Sequence, residues 1–425
     1  MRISTITMFE QSTASMNRQQ SDLMNVSQQI ASGRRVVNPS DDPQAASRAV
    51  TVDQAKAVTE QYSDARISAR NSLSQTESIL NSVSDAVTSA KTLLIQASSD
   101  TLSDVDRESI SSELKGIYET MIGQANATDG NGRYLFGGYK DSAPPFVKQT
   151  NADGDEFVVY NGDSKAREQR VDASRLMPVT ENGESIFQSV PSGAGYIAEA
   201  KKEDGTLNEG NVTFRGPQTL DVNDDGYGEN FRVVFSEDAG GNSMYSVQRL
   251  DDGAWEAIDL EGDGETTYPY TGNDQQLSFG GLNITLSGTP ADGDEILVAQ
   301  SGGDVRGADL FRTMEEAIRV LENPADNPTK KADLRNTLNT SMRDLDNALD
   351  NVLTVRASAG ARLNELDVID AVGSNRMLNY EQTLSDLVDL DYVEAISEYS
   401  LRQVGLQAAQ KAFVDIKGLS LFNYM

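Results

Sequence analysis

The chain has 425 residues and carries 66 acidic against 36 basic side chains, a net charge of −30. That length supports a sizeable core and two to four domains, and the charge excludes nucleic acid and anionic membrane surfaces as partners, because both need clustered Lys and Arg. With no cysteine and no histidine, disulfides, thiolate chemistry, Cys/His metal sites and imidazole acid–base catalysis are all excluded.

Residues 1–10 contain no apolar run of leader length, and no window of about 18 residues is continuously apolar. The expectation is therefore export without a cleaved signal peptide and no transmembrane helix. Composition divides the chain into a helical start (1–140), a Gly- and Asp-rich middle (141–303) and a helical end (304–425). Of the charged side chains, 30 acidic and 10 basic fall in the middle part, so most of the negative charge sits there.

In the first helix an apolar residue recurs at every seventh position, Phe9, Met16, Leu23 and Ile30, with polar Thr13, Gln20 and Ser27 between. A seam this thin frays without a partner. Asn38-Pro39 and Asp42-Pro43 interrupt it, and Asp42 is placed to cap the next helix with Pro43 in its first turn. That helix carries an unbroken alternation of four and three, from Ala69, Leu73 and Thr76 through Leu80, Val83, Val87, Ala90 and Leu94 to Ala97, the pattern of a coiled-coil seam. A shorter helix follows on Ile110, Leu114, Ile117, Met121 and Ala125.

The middle part reads as β structure. Strands are expected at 157–160, 212–214, 231–235, 245–247, 282–286 and 295–299, separated by Asp-Gly, Asn-Gly and Gly-Gly turns. Beyond it, Leu310, Met314, Ala317 and Leu321 line a short helix closed by Pro324 and Pro328. Leu334, Leu338, Leu345, Val352, Val355, Ala359, Leu366, Ile369, Tyr380 and Leu387 then keep one phase. They predict a single helix of about 50 residues, roughly 75 Å long, paired with the helix near 43–98. The last helix has two stripes: Leu401, Val404, Ala408, Ala412 and Ile416 on one, and Tyr399, Leu406, Ala409, Phe413 and Ile416 on the other. A helix apolar on more than one side needs several neighbours to cover it.

The stretches Ser-Gly-Arg-Arg-Val-Val-Asn-Pro-Ser-Asp-Asp-Pro (32–43), Gly-Arg-Tyr-Leu-Phe-Gly-Gly (132–138), Ala-Pro-Pro-Phe (143–146), Ala-Gly-Ala-Arg-Leu-Asn (359–364), Asp-Leu-Asp-Tyr-Val-Glu-Ala (389–395) and Leu-Ser-Leu-Phe-Asn-Tyr-Met (419–425) resemble the flagellin superfamily, and within it the hook-associated junction proteins. The resemblance covers about 1–147 and 304–425, plus a short piece at 286–294. It implies terminal helices lining an inner tube and a β insert projecting outward. It also implies unfolded export through the flagellar type III pathway, after a cytoplasmic chaperone has held the C-terminal region.

The candidate chemistry is sparse. Asp221, Asn223 and Asp225, followed by Gly226, match the first half of a calcium loop, but the twelfth position is Arg232 rather than Glu. An acidic hairpin turn is the favoured reading and a calcium site the alternative. Residues 130–138 lack the Lys-Ser/Thr of a phosphate loop, and chance pairs among 66 carboxylates make no glycosidase site.

The expectation is a mainly α rod of long, coiled-coil-like paired terminal helices carrying an inserted, mainly β domain. Residues 1–42 with 388–425 form an assembly part, 43–140 with 304–387 a helical rod, and 141–303 the insert, in one or two subdomains. The function expected is a non-enzymatic, extracellular junction subunit between flagellar hook and filament, with no cofactor. Its expected partners are other copies in a ring, the adjacent hook-associated protein, filament flagellin and the export chaperone. The assembly residues are Phe9, Met16, Leu23, Ile30, Leu401, Val404, Ala408, Ala412, Phe413 and Ile416. A filament flagellin and an acidic calcium-dependent adhesin are the alternatives.

Overall fold

The computed structural model describes residues 5–151, 156–191 and 193–422, with side chains from 7 to 415. The described residues form two compact units, one within Met1–Arg66 and Asp367–Met425, the other within Ile67–Leu366. Long helices at both ends of the chain enclose a β-rich middle, as the periodicities predict.

The first unit is helical. It holds α1 (Thr5–Ser32), the start of α2 (Pro43–Ala97), the end of α6 (Pro328–Val388) and α7 (Tyr392–Phe422). Between α1 and α2 the chain is tied to the α6–α7 turn: Arg35 N donates to Val388 O (2.7 Å) and Leu390 N to Gly33 O (3.1 Å). Asp42 Oδ1 accepts from Ala45 N (3.0 Å), so the carboxylate caps α2 while Pro43 opens it. Backbone hydrogen bonding from Ala45, with Arg35 alongside, keeps this carboxyl below its usual range. Lys56 pairs with Glu381 (3.2 Å) and Arg66 with Asp370. The partner numbers fall as α2 rises, so the two helices run antiparallel here.

The second unit has two cores. In the first, Leu80, Val83, Val87 and Leu94 of α2 meet α3 (Asp104–Ala125), α5 (Leu310–Glu322) and Leu334, Leu338, Leu345 and Val352 of α6. Glu77 pairs with Arg356 (3.5 Å) and Lys91 with Asp346, again antiparallel. Ser103 and Asp106 form a capping box at the start of α3, and Asp309 caps α5 through Phe311 N and Arg312 N. The same core takes in the beginning of the β region. Phe146 of β1 (Phe146–Thr150), Val158 of β2 (Glu156–Tyr160) and Phe187 of α4 (Gly183–Phe187) are buried in it. Phe146, Phe187 and Phe311 pack on one another in edge-to-face and tilted contacts, with ring centroids 5.0–5.6 Å apart.

Leu135 and Phe136 also enter this core. Gly138, at φ +62°, follows them, and a Cβ there would lie 2.6 Å from Asp163 O. Only glycine lets the two backbones approach so closely. The hairpin of β3 (Glu168–Asp172) and β4 (Arg175–Pro178) stands apart from the larger sheets.

The second core lies in a sandwich of antiparallel sheets. One runs β10 (Tyr268–Pro269), β8 (Ser243–Asp251), β7 (Phe231–Glu237), β13 (Glu295–Gln300), β5 (Tyr196–Glu199), with β9 (Ala254–Ala257) added to β8. The other runs β11 (Gln275–Phe279), β12 (Leu282–Ser287), β6 (Thr213–Thr219). Alternate residues point inward: Phe231, Val233 and Phe235 from one sheet meet Phe214, Leu277, Phe279, Ile284 and Leu286 from the other.

Candidate assembly interface

Helices α1 and α7 pack on one another, and Phe9 meets Phe413 with ring centroids 5.1 Å apart. Arg402 Nη1 reaches Asp22 across the pair, and Arg402 also holds Glu398 one turn back (2.6 Å). Of the expected assembly residues, Met16, Leu23, Ile30 and Phe413 are half-buried and Phe9 remains 45% exposed. Leu401 is 75% exposed and Val404 64%, and Ala408 and Ala412 are exposed as well. Ile416 lies outside the residues whose side chains are described.

The two stripes of α7 therefore differ. Tyr399, Leu406, Ala409 and Phe413 are half-covered within the chain, while the stripe led by Leu401 and Val404 faces solvent together with Val393, Ile396 and Val414. Among the described side chains of the pair, only Val26 and Ala395 fall among the buried apolar residues. Covering a Leu or Val side chain stabilises by about 1.5–3 kcal/mol, so five exposed ones leave on the order of 10 kcal/mol of burial unrealised.

Further uncovered residues were not marked by the seams. On α2 these are Val50 and Val58, and on α6 Val368, Val372 and Leu378, each at least 45% exposed. The signal available was aliphatic residues lying off the main seam in helices whose surface is otherwise polar.

A second feature that the apolar seams did not mark is a polar seam on α6. Asn336, Thr340, Asp344, Asn347 and Asn351 are all buried, and they recur at spacings of four, four, three and four, beside the leucine seam. Asn336 Nδ2 donates to Val212 O (2.8 Å) and its Oδ1 accepts from Phe214 N (3.2 Å). Thr340 donates to Ala198 O, Asn347 to Ser301 Oγ, and Asn351 to Ser185 O and Ile186 O. Asp344 takes both Nη atoms of Arg306 (2.9 and 2.6 Å), whose Nε reaches Glu199 (2.7 Å). Lys201 completes the cluster on Glu199 (3.1 Å) and Glu316 (2.8 Å). Burial would raise the Glu199 carboxyl, but Arg306 and Lys201 outweigh it and hold the group at about 2. This seam fastens the β region to the helix through directional bonds.

Nothing in these groups resembles a reacting centre. Burial, with Glu315 beside it, raises the Tyr118 hydroxyl and keeps it protonated. Asp221 Oδ1 accepts from Asn223 N (2.8 Å) and Asp224 Oδ1 from Gly226 N (2.8 Å), so these carboxylates close their own turn. Among the described residues no three acidic side chains gather as a metal site requires. Nor is any described helix long and apolar enough to cross a membrane.

Paired terminal helices with an uncovered apolar face, interrupted by a β-rich insert, define a flagellin-type structural protein. Residues 3–141 match the family described as the bacterial flagellin N-terminal helical region. The chain is 32% identical over 424 residues to flagellar hook-associated protein 3 of Escherichia coli strain K12, covering 100% of this chain and 99% of that protein. It is 31% identical to the Salmonella typhimurium protein of the same name over the same shares. Solved structures agree. The hook-associated protein-3 of Legionella pneumophila superposes with TM-score 0.67 at 25% identity, over 79% of this chain and 98% of that one. Xanthomonas campestris FlgL gives TM-score 0.63 at 28% identity, over 79% and 99%. The chain belongs to the flagellar hook-associated protein 3 family, and it is a structural component of the bacterial flagellum.

Proposed function

We propose that this chain joins hook to filament by burying its terminal helices against other copies of itself and against the neighbouring axial proteins. The observation that carries the reading is the solvent-facing apolar stripe of α7, with Leu401 75% and Val404 64% exposed while the other stripe is half-covered. Residues 1–42 and 388–425 form the assembly part, 43–140 and 304–387 the rod, and 141–303 the outward insert. The partners are a ring of copies, the adjacent hook-associated protein, filament flagellin and, before export, a cytoplasmic chaperone at the C-terminal region. The site of action is extracellular, at the hook–filament junction, and the role is non-enzymatic. A bulk filament role fits less well, because the full-length relatives carry the hook-associated name.

The test uses cells lacking their own copy and supplies Leu401→Asp/Val404→Asp. Both side chains are exposed in the lone chain, so monomer stability should stay within about 0.5 kcal/mol, while filaments fail to attach. Attached filaments at wild-type frequency would reject the burial reading.

A further inference from the structure

The turn between β6 and β7 presents two exposed aliphatic side chains, Leu220 (65%) and Val222 (61%), among exposed Asp221, Asp224 and Asp225. The turn is held in place. Leu220 N and Asp221 N both donate to Gly281 O (2.8 and 3.1 Å), and Gly281, at φ +70°, leaves no room for a side chain, since a Cβ would fall 2.0 Å from Asp221 O. The aliphatic pair is therefore presented in a fixed geometry, and little ordering remains to be done on binding.

A groove of about 740 Å³ lies elsewhere in the same unit, between the start of α3 and the start of α6. Leu102, half-buried, is the leucine with accessible surface on its lining, over the buried Leu334 and Leu338, and Arg107, Lys331 and Arg335 supply its cations. Arg107 is paired with Asp104 (3.3 Å). Lys331 and Arg335 are exposed and form no ion pair among the described residues, with Asp100 the remaining carboxylate on the lining. Val105, next along α3, is 71% exposed and extends the apolar rim. On a chain of net charge −30, a cation-edged groove rimmed by Leu102 and Val105 complements an acidic tip that carries two aliphatic side chains.

The two features sit at different places on one molecule. Thr213, the first residue of β6, lines the groove, and Leu220 follows the last residue of that strand. A strand rises about 3.3 Å per residue, which puts the tip roughly 20 Å from the groove. A chain carrying both halves of a contact at separated positions makes it with a second copy, head to tail, and such a contact closes into a ring when the rotation allows.

We propose that Leu220 and Val222 of one copy dock in the α3–α6 groove of a second copy, with Asp221, Asp224 and Asp225 set against that copy's Lys331 and Arg335. The proposal rests on the reading that copies assemble side by side, and it adds a lateral contact in the second unit to the one made by the terminal helices. The patch is small, so it acts where the terminal helices already hold neighbours at high effective concentration.

The chain has no cysteine, which permits a clean cross-linking test. Cells lacking their own copy receive Leu220→Cys/Arg335→Cys or Leu220→Cys/Lys331→Cys, and filament attachment is scored in the same culture. Isolated flagella are oxidised with copper-phenanthroline and run without reductant. The expected result is attached filaments with a ladder of covalent dimers and higher multimers for at least one pair, and none for Leu220→Cys alone. Adding Val222→Asp should lower the ladder yield about tenfold, the effect of losing one buried aliphatic contact. Attached filaments with only monomer from both pairs would overturn the docking and leave the junction role standing. A ladder that Val222→Asp does not weaken would also overturn it, because proximity without docking would then explain the cross-link.

Discussion

Asn336→Ala tests whether the polar seam of α6 holds the sandwich in place. Asn336 is 4% exposed and serves both backbone groups at the free edge of β6, Val212 O and Phe214 N, whose residues are 5% and 3% exposed. Among the described strands β6 pairs with β12 alone, and none of them replaces the lost partners. A buried backbone group left unpaired costs about 1–3 kcal/mol, and two such groups place the loss at about 3 kcal/mol. Trp255 is the sole tryptophan. It lies on β9 with the Arg232 guanidinium 4.7 Å from its ring, and its fluorescence therefore reports the sandwich while circular dichroism reports the helices. With a urea dependence of about 1–3 kcal/mol per molar, the fluorescence midpoint should fall by about 1–3 M, and the helical signal should move less. A shift equivalent to under about 0.5 kcal/mol would show that the Asn336 bonds do not secure the edge.

Glu199→Gln should flatten the acid limb of stability. The folded carboxyl is held at about 2 against an ordinary 4.5, so its contribution is complete above 4.5 and disappears as pH falls toward 2. The amount is about 3 kcal/mol. Urea titrations at pH 7, 4 and 3 check this, and an acid slope equal to wild type would refute it. Gly373→Ala should give none of the usual helical gain of about 0.5–1 kcal/mol, because the new Cβ meets Arg66 Nη2 at 2.7 Å and Arg66 is tied to Asp370. Thermal melting reads the sign, and a clear rise in Tm would count against the close packing. In the monomer, amides of α1 and α7 should exchange far faster than those of α3 and α5, and strong protection across 7–32 would contradict the partial burial of that helix pair.

The helices were legible because their apolar residues repeat. The Leu73–Ala97 seam gave α2, the Leu334–Leu387 phase gave α6, and the two stripes gave α7. Strands with strict alternation, such as Phe231, Val233 and Phe235 in β7, were also visible. β1, β3, β4, β5, β9, β10 and β11 were not, because strands of two to five residues stand out only where apolar residues cluster as they do in the Phe157-Val158-Val159-Tyr160 run of β2. Nor did any local pattern reveal that Phe146 and Phe187 join the helical core, since their partner Phe311 is more than a hundred residues away. The polar seam was not legible, because buried Asn336, Thr340, Asp344, Asn347 and Asn351 are residue types that on a helix ordinarily face solvent. For the assembly residues, both stripes of α7 were legible, but which one would be half-covered depended on the path of α1, which no spacing within α7 encodes.

The difference in burial between the units bears on when each one folds. The second unit closes its own accounts of burial: Phe136, Phe187 and Phe311 are at most 1% exposed, and the buried Arg306 has Asp344 and Glu199 as partners. Such a unit has the contacts to fold as a monomer. The α1–α7 pair lacks them, since half-covered seams of one apolar residue per two turns scarcely offset the backbone entropy of about 1–2 kcal/mol per residue. Any partner that covers Leu401 and Val404 supplies the missing burial and orders the pair in the same step. Under the proposed function, ordering of the ends and entry into the axle are then one event, and the uncovered stripe keeps free copies responsive to a growing tip. Leu401→Asp/Val404→Asp should therefore abolish attachment without lowering monomer stability. A variant that lost both together would show that the stripe is already covered in the free chain.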